Sequence, residues 1–146
     1  MSYKIDRNVD HLHPDLKPLV EELLVRCAFM QLWEGYRSPE RQDELFLRDP
    51  PVTKARGGQS PHNIQVDGKP ASCAVDMVFD PKHVILPKVE EGGKAWPALW
   101  DQSSPSTRSL WLIYGKTARD LGLVWGGDWR FKDVPHVELP NWRDFK

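Results

Sequence analysis

The sequence is short of cysteine, of surplus charge and of long apolar runs, and each shortage excludes a class of protein. Two cysteines in 146 residues exclude a disulfide-rich scaffold. Cys27 and Cys73 both lie in apolar surroundings, so we expect two buried reduced thiols rather than a disulfide. A formal net charge of -1, from 20 basic and 21 acidic side chains, gives no electrostatic case for nucleic acid or an anionic membrane as a partner.

No stretch approaches the roughly 18 apolar residues that a membrane-spanning helix needs, so we do not expect membrane insertion. The N-terminal stretch MSYKIDRNVDHLHPDLKPL also lacks the apolar core of a secretory signal. We therefore expect synthesis in the cytoplasm, with any export by another route. The length and a hydrophobic share of 40% predict one globular domain over residues 1–146, which we expect to be a monomer.

What the chain does have is an alternation of periodic and irregular stretches. Apolar residues at helical spacing predict helices within 15–31, 38–49 and 104–122, with Asp15 and Ser38 as N-caps of the first two. Alternation predicts strands within 28–37, 72–80, 123–130 and 133–140, and residues 50–70 and 80–104 are expected to be irregular. The strands come late and close together, which favours an α+β fold with an antiparallel sheet over a doubly wound parallel sheet. The third helix is expected to bury Leu110, Ile113, Tyr114, Thr117 and Leu121.

One polar residue stands out in the predicted strands. Asp76 lies within the apolar run SCAVDMVFD, where an ionised carboxylate needs an arginine, a set of hydrogen-bond donors or a metal ion as partner. His62 and His136 have more plausible functional neighbours than the other histidines. Two neutral imidazoles with one carboxylate form the ligand set of a catalytic zinc. Alternatively, Asp76 pairs with an arginine and the two histidines are unrelated, since no compact signature such as HExxH is present. The remaining histidines, which we expect to be structural or solvated, are His11, His13 and His83.

The stretch DVPHVE adds two carboxylates to this candidate site. Asp133 precedes His136 by three residues, and a turn at Pro135 would bring its carboxylate toward the same cavity, as a base for a metal-activated water. Glu138 shares a strand face with His136 and is expected to orient a histidine, or else to be an exposed strand carboxylate.

Five short motifs occur along the chain in an informative order: GYRSPERQ (35–42), SPH (60–62), AVD (74–76), LGLVWGGDW (121–129) and DVPH (133–136). This order resembles the zinc D-alanyl-D-alanine carboxypeptidase family, which includes bacterial D,D-carboxypeptidases, vancomycin-resistance D,D-dipeptidases and phage L-alanyl-D-glutamate endopeptidases. The resemblance extends over roughly residues 30 to 140. It implies the fold shared with Hedgehog signalling domains, in which a small antiparallel sheet carries the zinc site and packs with helices.

The resemblance also implies a role for each matching residue. His62, Asp76 and His136 match the zinc ligands, and Asp133 matches the catalytic base, where Asp is typical of the phage endopeptidases. Arg37 matches the arginine that faces the scissile carbonyl, a role that suits a fixed guanidinium.

Several of these assignments have a simpler alternative. Arg37 could instead form a structural ion pair with Glu40 or Asp128. Ser60 matches a serine that holds the substrate or the first ligand, with a simple loop hydroxyl as the alternative. The WGGDW stretch is expected to shape the cleft or the core beneath it through Trp125, Asp128 and Trp129, with a core role favoured for each tryptophan.

The spacing between the first two matched ligands departs from the family pattern. Relatives usually place the first histidine and the aspartate seven positions apart, in a pattern like H-x-x-G-x-A-x-D, whereas His62 and Asp76 are fourteen apart. Gly68 and Ala74 are candidates for displaced parts of that pattern. We expect the extra residues to bulge as a loop beside the metal site without moving its anchors much.

The resemblance implies a zinc peptidase whose partner is the peptidoglycan stem peptide. The expected bond is L-alanyl-D-glutamate, with a D-alanyl-D-alanine carboxypeptidase as the second candidate and a non-catalytic zinc-containing binding module as the third. The expected setting is a phage endolysin of a Gram-negative host, which accumulates in the cytoplasm and reaches the wall after the membrane is permeabilised.

Overall fold

The computed structural model describes residues 4–48 and 52–146, so the first two residues of the expected 50–70 loop and the last of the expected 38–49 helix lie outside the described part. It contains three α-helices, Lys17–Arg26 (α1), Pro39–Phe46 (α2) and Pro105–Asp120 (α3). Four strands form the main sheet: Met30–Glu34 (β1), Ala74–Phe79 (β4), Val124–Trp125 (β7) and His136–Glu138 (β8). Two small hairpins pair Gln65–Val66 (β2) with Lys69–Pro70 (β3) and Lys88–Glu91 (β5) with Lys94–Pro97 (β6).

The main sheet is antiparallel throughout and has the strand order β1-β4-β8-β7, which confirms the expected α+β class. β4 is the central apolar strand, and Asp76 is its least buried residue. The register places Asp76 opposite His136 on β8 and opposite Glu34 on β1. Residues that are far apart in the chain therefore meet at one end of the sheet.

Two of the three helices begin at a serine whose side chain accepts a backbone N–H. Ser38 caps α2 as expected, with Pro39 at the first helical position. Ser104 caps α3 in a reciprocal capping box with Thr107. The expectation for α1 is wrong, because Asp15 lies one position too early and Leu16 precedes the helix without a side-chain cap.

The buried face of α3 also differs from the expectation. Its buried residues are Thr107, Trp111, Tyr114, Gly115 and Ala118, while Ile113 is 49% exposed and Leu110, Thr117 and Leu121 are partly exposed. The helix is turned by about one position because Gly115 lies directly against the Trp125 ring, where a Cβ would collide. Small residues let the helix approach the sheet closely, and a pattern of bulky apolar residues does not reveal this.

Residues 80–104 were expected to be irregular, but they contain the β5–β6 hairpin. Its turn is Gly92–Gly93, and both glycines have positive φ, as a two-residue type I′ turn requires. Nearly every residue of this hairpin is exposed, so no half-buried alternation marks it in the sequence. In contrast, the strand expected within 123–130 is shorter than predicted, because a 3-10 helix, Gly126–Asp128, follows β7 directly.

The apolar core lies between the main sheet and helices α1 and α3. Its most deeply buried members include Leu16, Leu23, Phe79, Tyr114 and Val137. Cys27 and Cys73 are both buried free thiols, as expected, and burial raises the pKa of Cys73 to about 12. Among the residues that the structure describes, no helix has the length and apolar character needed to cross a membrane.

Candidate metal centre

The three expected ligands come together at the end of the sheet. Asp76 and His136 face each other across β4 and β8. His62 lies in a 3-10 helix, Pro61–Asn63, which follows its N-cap Ser60 and is attached to the residue just before β4 by a hydrogen bond from the Cys73 N–H to the Pro61 carbonyl (2.9 Å). One potential ligand atom from each of His62, Asp76 and His136 lies within 4.8 Å of the other two.

Both imidazoles have one nitrogen engaged and the other aimed at Asp76. The His62 Nδ1–H donates to the Gly35 carbonyl (2.7 Å), which leaves Nε2 3.6 Å from Asp76 Oδ2. The His136 Nε2–H donates to Glu138 Oε1 (2.7 Å), which leaves Nδ1 3.3 Å from Asp76 Oδ1. A carbonyl can only accept, so Gly35 fixes the tautomer of His62, and a carboxylate does the same for His136. This is the arrangement by which outer partners orient metal-binding histidines.

Asp76 completes the fit to a metal ion. Its Oδ1 atom is buried and accepts no hydrogen bond from the described residues. A buried carboxylate oxygen without a donor is costly, and a cation held between it and two imidazole lone pairs removes that cost. The donor set of two imidazoles and one carboxylate is that of catalytic zinc sites, which keep a position open for water.

The ionisation of the three side chains differs. Burial, together with the charge of Arg37, lowers the pKa of His62, so this imidazole is neutral at pH 7. Burial alone would raise the pKa of Asp76, but His62, His136 and Arg37 beside it hold that pKa well below its usual range. Burial also disfavours the charged form of His136, yet the carboxylates of Asp76 and Glu138 raise its pKa to about 9. Without a cation in the cluster, His136 therefore carries a proton at neutral pH.

Arg37 lies behind Asp76 in a buried network. Its Nη2 donates to Asp76 Oδ2 (2.9 Å), its Nε donates to Glu34 Oε1 (3.0 Å), and its Nη1 makes a longer bond to Gln42 (3.3 Å). The other Glu34 oxygen accepts from Arg41 (3.1 Å). Arg37 is thus paired neither with Glu40 nor with Asp128, the two partners named as alternatives from the sequence. Asp76 therefore has the arginine partner of the alternative sequence hypothesis, but the other part of that hypothesis, that the two histidines are unrelated, is wrong, because both lie beside Asp76.

Asp133 stands at the mouth of the same cluster. Partial desolvation and the nearby charge of Asp76 raise the pKa of Asp133, although the residue as a whole is exposed. No donor among the described residues hydrogen-bonds its carboxylate. A carboxylate that lies beside a candidate metal-binding cluster, has a raised pKa and accepts no hydrogen bond from the described residues has the properties of a general base.

The backbone of the segment 133–136 is fixed by side chains that the sequence did not single out for this purpose. The Tyr114 hydroxyl donates to the Pro135 carbonyl (2.7 Å), and the Trp125 indole N–H donates to the Val134 carbonyl (2.8 Å). The Asp133 N–H donates to the Gly126 carbonyl (2.9 Å), and a Cβ at Gly126 would collide with the Asp133 carbonyl oxygen. These contacts explain the first part of the WGGDW stretch, because Trp125 and Gly126 determine where Asp133 lies.

The other candidate residues fall into two groups. Ser60 is buried, accepts the His62 N–H (3.2 Å) and lines the cavity beside His62. Trp129 is 37% exposed and lies against the His136 ring, with the ring centroids 5.1 Å apart. Asp128, however, forms an exposed ion pair with Arg119 (3.0 Å) and does not line the cavity.

The three remaining histidines take no part in the cluster. His11 contacts Asp6 (2.7 Å), His13 accepts the Asp15 N–H (3.0 Å), and His83 lies in an exposed turn.

The extra residues between His62 and Asp76 form a separate hairpin. β2 and β3 are joined by a two-residue turn in which Asp67 and Gly68 both have positive φ. The chain leaves and returns at one place, because the Ala71 N–H donates to the Ile64 carbonyl (2.9 Å). None of the described hairpin residues lines the cavity around the cluster, so the expected loop exists but does not lie on the cleft wall.

A cavity of about 750 Å³ opens onto the cluster. The buried and half-buried lining residues are Arg37, His62, Asp76 and His136, and the largely exposed ones, which form the mouth, belong to the segments 52–54 and 129–133. Two histidines and a carboxylate at the base of an open cleft, with a second carboxylate at its mouth, define a candidate centre of a metal-dependent hydrolase.

Comparisons with known proteins agree with this class. The sequence profile of the D-alanyl-D-alanine carboxypeptidase family matches residues 53–139. The chain is 35% identical over 141 residues to the peptidoglycan L-alanyl-D-glutamate endopeptidase CwlK of Bacillus subtilis, across 89% of this chain and 75% of that protein. The crystal structure of the L-Ala D-Glu endopeptidase ChiX of Serratia marcescens matches with a TM-score of 0.54 and 25% identity, across 99% of this chain and 92% of that one. The chain belongs to the D-alanyl-D-alanine carboxypeptidase family of peptidases, which confirms the family expected from the five motifs.

Proposed function

We propose that the chain is a zinc-dependent peptidoglycan endopeptidase that cleaves the L-alanyl-D-glutamate bond of cell-wall stem peptides. The observation that carries this proposal is the convergence of His62 Nε2 and His136 Nδ1 on the Asp76 carboxylate, whose buried Oδ1 accepts no hydrogen bond from the described residues. The choice of bond follows the two relatives described above, both of which are named as L-alanyl-D-glutamate endopeptidases.

His62, Asp76 and His136 would hold the zinc ion. When bound, zinc supplies Lewis acidity, which acidifies a water and polarises the scissile carbonyl. Gly35 and Glu138 orient the two imidazoles from behind, and Ser60 fixes the backbone of the first. These partners hold the ligand atoms in place before the ion arrives, so little reorganisation is needed on binding.

Asp133 would move the proton in this reaction. Its unpartnered carboxylate takes a proton from the attacking water and then delivers it to the leaving amine. Arg37 lines the cavity, and its Nη1 has only the long bond to Gln42. We therefore assign this nitrogen to the charge that develops on the scissile carbonyl oxygen, which a guanidinium stabilises without proton transfer.

The bond that is cut is tested by incubating the protein with purified peptidoglycan and identifying the new termini by mass spectrometry. The proposal expects new N-terminal D-glutamyl ends and free C-terminal L-alanine. Release of free D-alanine with intact L-alanyl-D-glutamate bonds would contradict it and favour the D-alanyl-D-alanine carboxypeptidase alternative.

The metal is tested by dialysis against a chelator followed by addition of zinc. Cleavage should stop without the metal and return with it, and His136→Ala should hold well under one zinc per chain. A protein that binds zinc but releases no muropeptide under any of these conditions would instead be a non-catalytic binding module.

The biological setting in this proposal is a phage endolysin that acts on the wall after membrane permeabilisation, working as a monomer. Both relatives carry bacterial source names, so this setting rests on the motif resemblance, in which Asp rather than Glu stands at position 133. Lysis of Gram-negative cells that requires both an outer-membrane permeabiliser and the intact Asp133 would support it, and lysis that is unchanged in Asp133→Ala would contradict it.

A further inference from the structure

Three basic side chains surround the mouth of the cavity and have no role in the proposal above. Lys54 lies in the segment 52–54, and Arg130 and Lys132 lie in the segment just before Asp133. All three are exposed, and all three line the cavity. We call them the cationic rim.

The charges of the rim are not compensated nearby. No carboxylate among the described residues forms an ion pair with any of the three, whereas Arg37, Arg41 and Arg119 each have one. The carboxylates that line the cavity are Asp76, which is committed to Arg37 and the histidines, and Asp133. A chain whose overall formal charge is only -1 thus has a local surplus of positive charge at this opening.

The rim is also held in place by contacts that leave its charge available. The Lys54 ammonium lies 3.8 Å from the Phe131 ring centroid, and the Arg130 guanidinium lies 5.9 Å from it. The Lys132 ammonium donates to the Gly127 carbonyl (3.0 Å), which keeps it beside the base that follows it in the chain. An ammonium has three donors, so Lys132 can still bind an anion.

The proposed substrate carries an anion beside the scissile bond. A glutamyl residue has two carboxyl groups, and the peptide needs only one of them to continue beyond it. The other is therefore a free carboxylate next to the scissile amide, on the leaving-group side, unless it is converted to an amide. Charge-assisted hydrogen bonds to such a group are stronger than those to a neutral amide.

We propose that the cationic rim of Lys54, Arg130 and Lys132 binds the free carboxylate of the glutamyl residue and makes the enzyme selective for stem peptides in which that carboxylate is not amidated. The inference rests on the proposed function, because it presumes cleavage next to a glutamyl residue. The rim adds selectivity to that reaction and takes no part in the proton transfer.

The test uses two synthetic stem peptides that differ at one group, a free glutamyl carboxylate or its carboxamide. The wild-type protein, loaded with zinc, should cleave the carboxylate form with kcat/KM about tenfold higher. The triple variant Lys54→Gln/Arg130→Gln/Lys132→Gln should lose this preference, because its rate on the carboxylate peptide falls to that on the carboxamide peptide. Its rate on the carboxamide peptide should stay near that of the wild type.

The control removes the same charge from another surface. Lys82, Lys88 and Lys94 are exposed and lie outside the cavity lining, so Lys82→Gln/Lys88→Gln/Lys94→Gln should keep the wild-type preference. Equal cleavage of both peptides by the wild type would overturn this inference alone, and that comparison needs no variant. A triple rim variant that slows both peptides equally would also overturn it. Cleavage of neither peptide by the wild type would overturn the proposed function, and this inference with it.

Discussion

The base of the cleft and its mouth are built in opposite ways. At the base, His62, Asp76 and His136 are buried or mostly buried, and each has a second partner anchored in the sheet or its flanking turns. At the mouth, the side chains of Lys54 and Arg130 stand on exposed segments and have no carboxylate partner among the described residues. The first region is pre-arranged for one geometry, and the second presents charge to whatever enters.

This difference indicates where a substitution should destabilise the protein and where it should only weaken ligand binding. A buried polar network depends on each member, because removing one leaves another charged group without a partner. An exposed charge is solvated when its ligand is absent, so its loss changes binding more than folding. The predictions below test this contrast, beginning with the largest expected effect.

Asp133 lies at the boundary between the two regions, and its substitution should reduce catalysis without reducing metal binding. Asp133→Asn keeps the shape of the side chain but removes the base, so we expect kcat to fall by about 10³-fold with unchanged zinc content. Asp128→Asn is the matched control, since that aspartate is exposed and pairs with Arg119. Near-normal turnover in Asp133→Asn would contradict the assignment of the base.

Activity should be nearly as sensitive to substitution of Gly126, which contacts the backbone of the proposed base Asp133. In Gly126→Ala the new Cβ collides with the Asp133 backbone and displaces it, so we expect activity to fall on the order of 10²-fold. Zinc stoichiometry should stay near one per chain, because the three ligands are held by other contacts. If activity and metal were lost together, the glycine would be supporting the whole site rather than the position of Asp133.

Glu138, which accepts the His136 N–H, should affect the affinity for the metal rather than the proton transfer. Glu138→Gln retains an acceptor for the imidazole N–H but removes its charge, so we expect zinc affinity to fall by about 10- to 100-fold. Competition with a chromophoric chelator measures this directly. Glu91→Gln, on the exposed β5–β6 hairpin, is the control and should bind zinc as the wild type does.

The smallest effect we predict is a proton released when the metal binds. The folded-state pKa of His136 is raised from 6.5 to about 9, so between these values the metal-free protein holds a proton that the unfolded chain has lost. This proton stabilises the metal-free fold fully below pH 6.5, and the stabilisation disappears as the pH rises through about 9. Zinc needs the neutral imidazole, so its affinity should increase with pH across this window.

Calorimetry in buffers of different ionisation enthalpy measures that release. About one proton per zinc is expected near pH 6, where His136 is protonated and a zinc-bound water, with a pKa of roughly 7, keeps its proton. His136 that is already neutral in the metal-free protein would release none, and the result would show that the carboxylates around it are less effective than their distances indicate.

Much of the site could be predicted because its chemistry lies in short local motifs. Asp76 was conspicuous as a carboxylate in an apolar strand, and Ser38 marked the start of α2 through its own side chain. The network of Arg37 could be read only in part, because Glu34 lies three residues away in the chain whereas Asp76 reaches Arg37 only through the pairing of β1 with β4. The metal-cluster geometry itself is likewise a product of register.

Other features were missed for different reasons. The buried face of α3 depends on how closely Gly115 fits against Trp125, a complementarity between two distant segments. The β5–β6 hairpin carried a readable signal, since Gly92–Gly93 between two short runs is typical of a type I′ turn. That signal was weak because exposed strands show no alternation of apolar and polar residues.

The β2–β3 hairpin has a practical consequence for anyone who handles this protein. Its tip, Asp67–Gly68, is exposed, and its base is closed by the hydrogen bond between Ala71 and Ile64. A fluorophore, an affinity tag or a grafted peptide attached at the tip would lie between two proposed metal ligands, His62 and Asp76, in the chain, on a hairpin that does not line the cavity around them. The segment that most disturbs the family motif is thus a natural attachment point that leaves the chemistry of the cleft untouched.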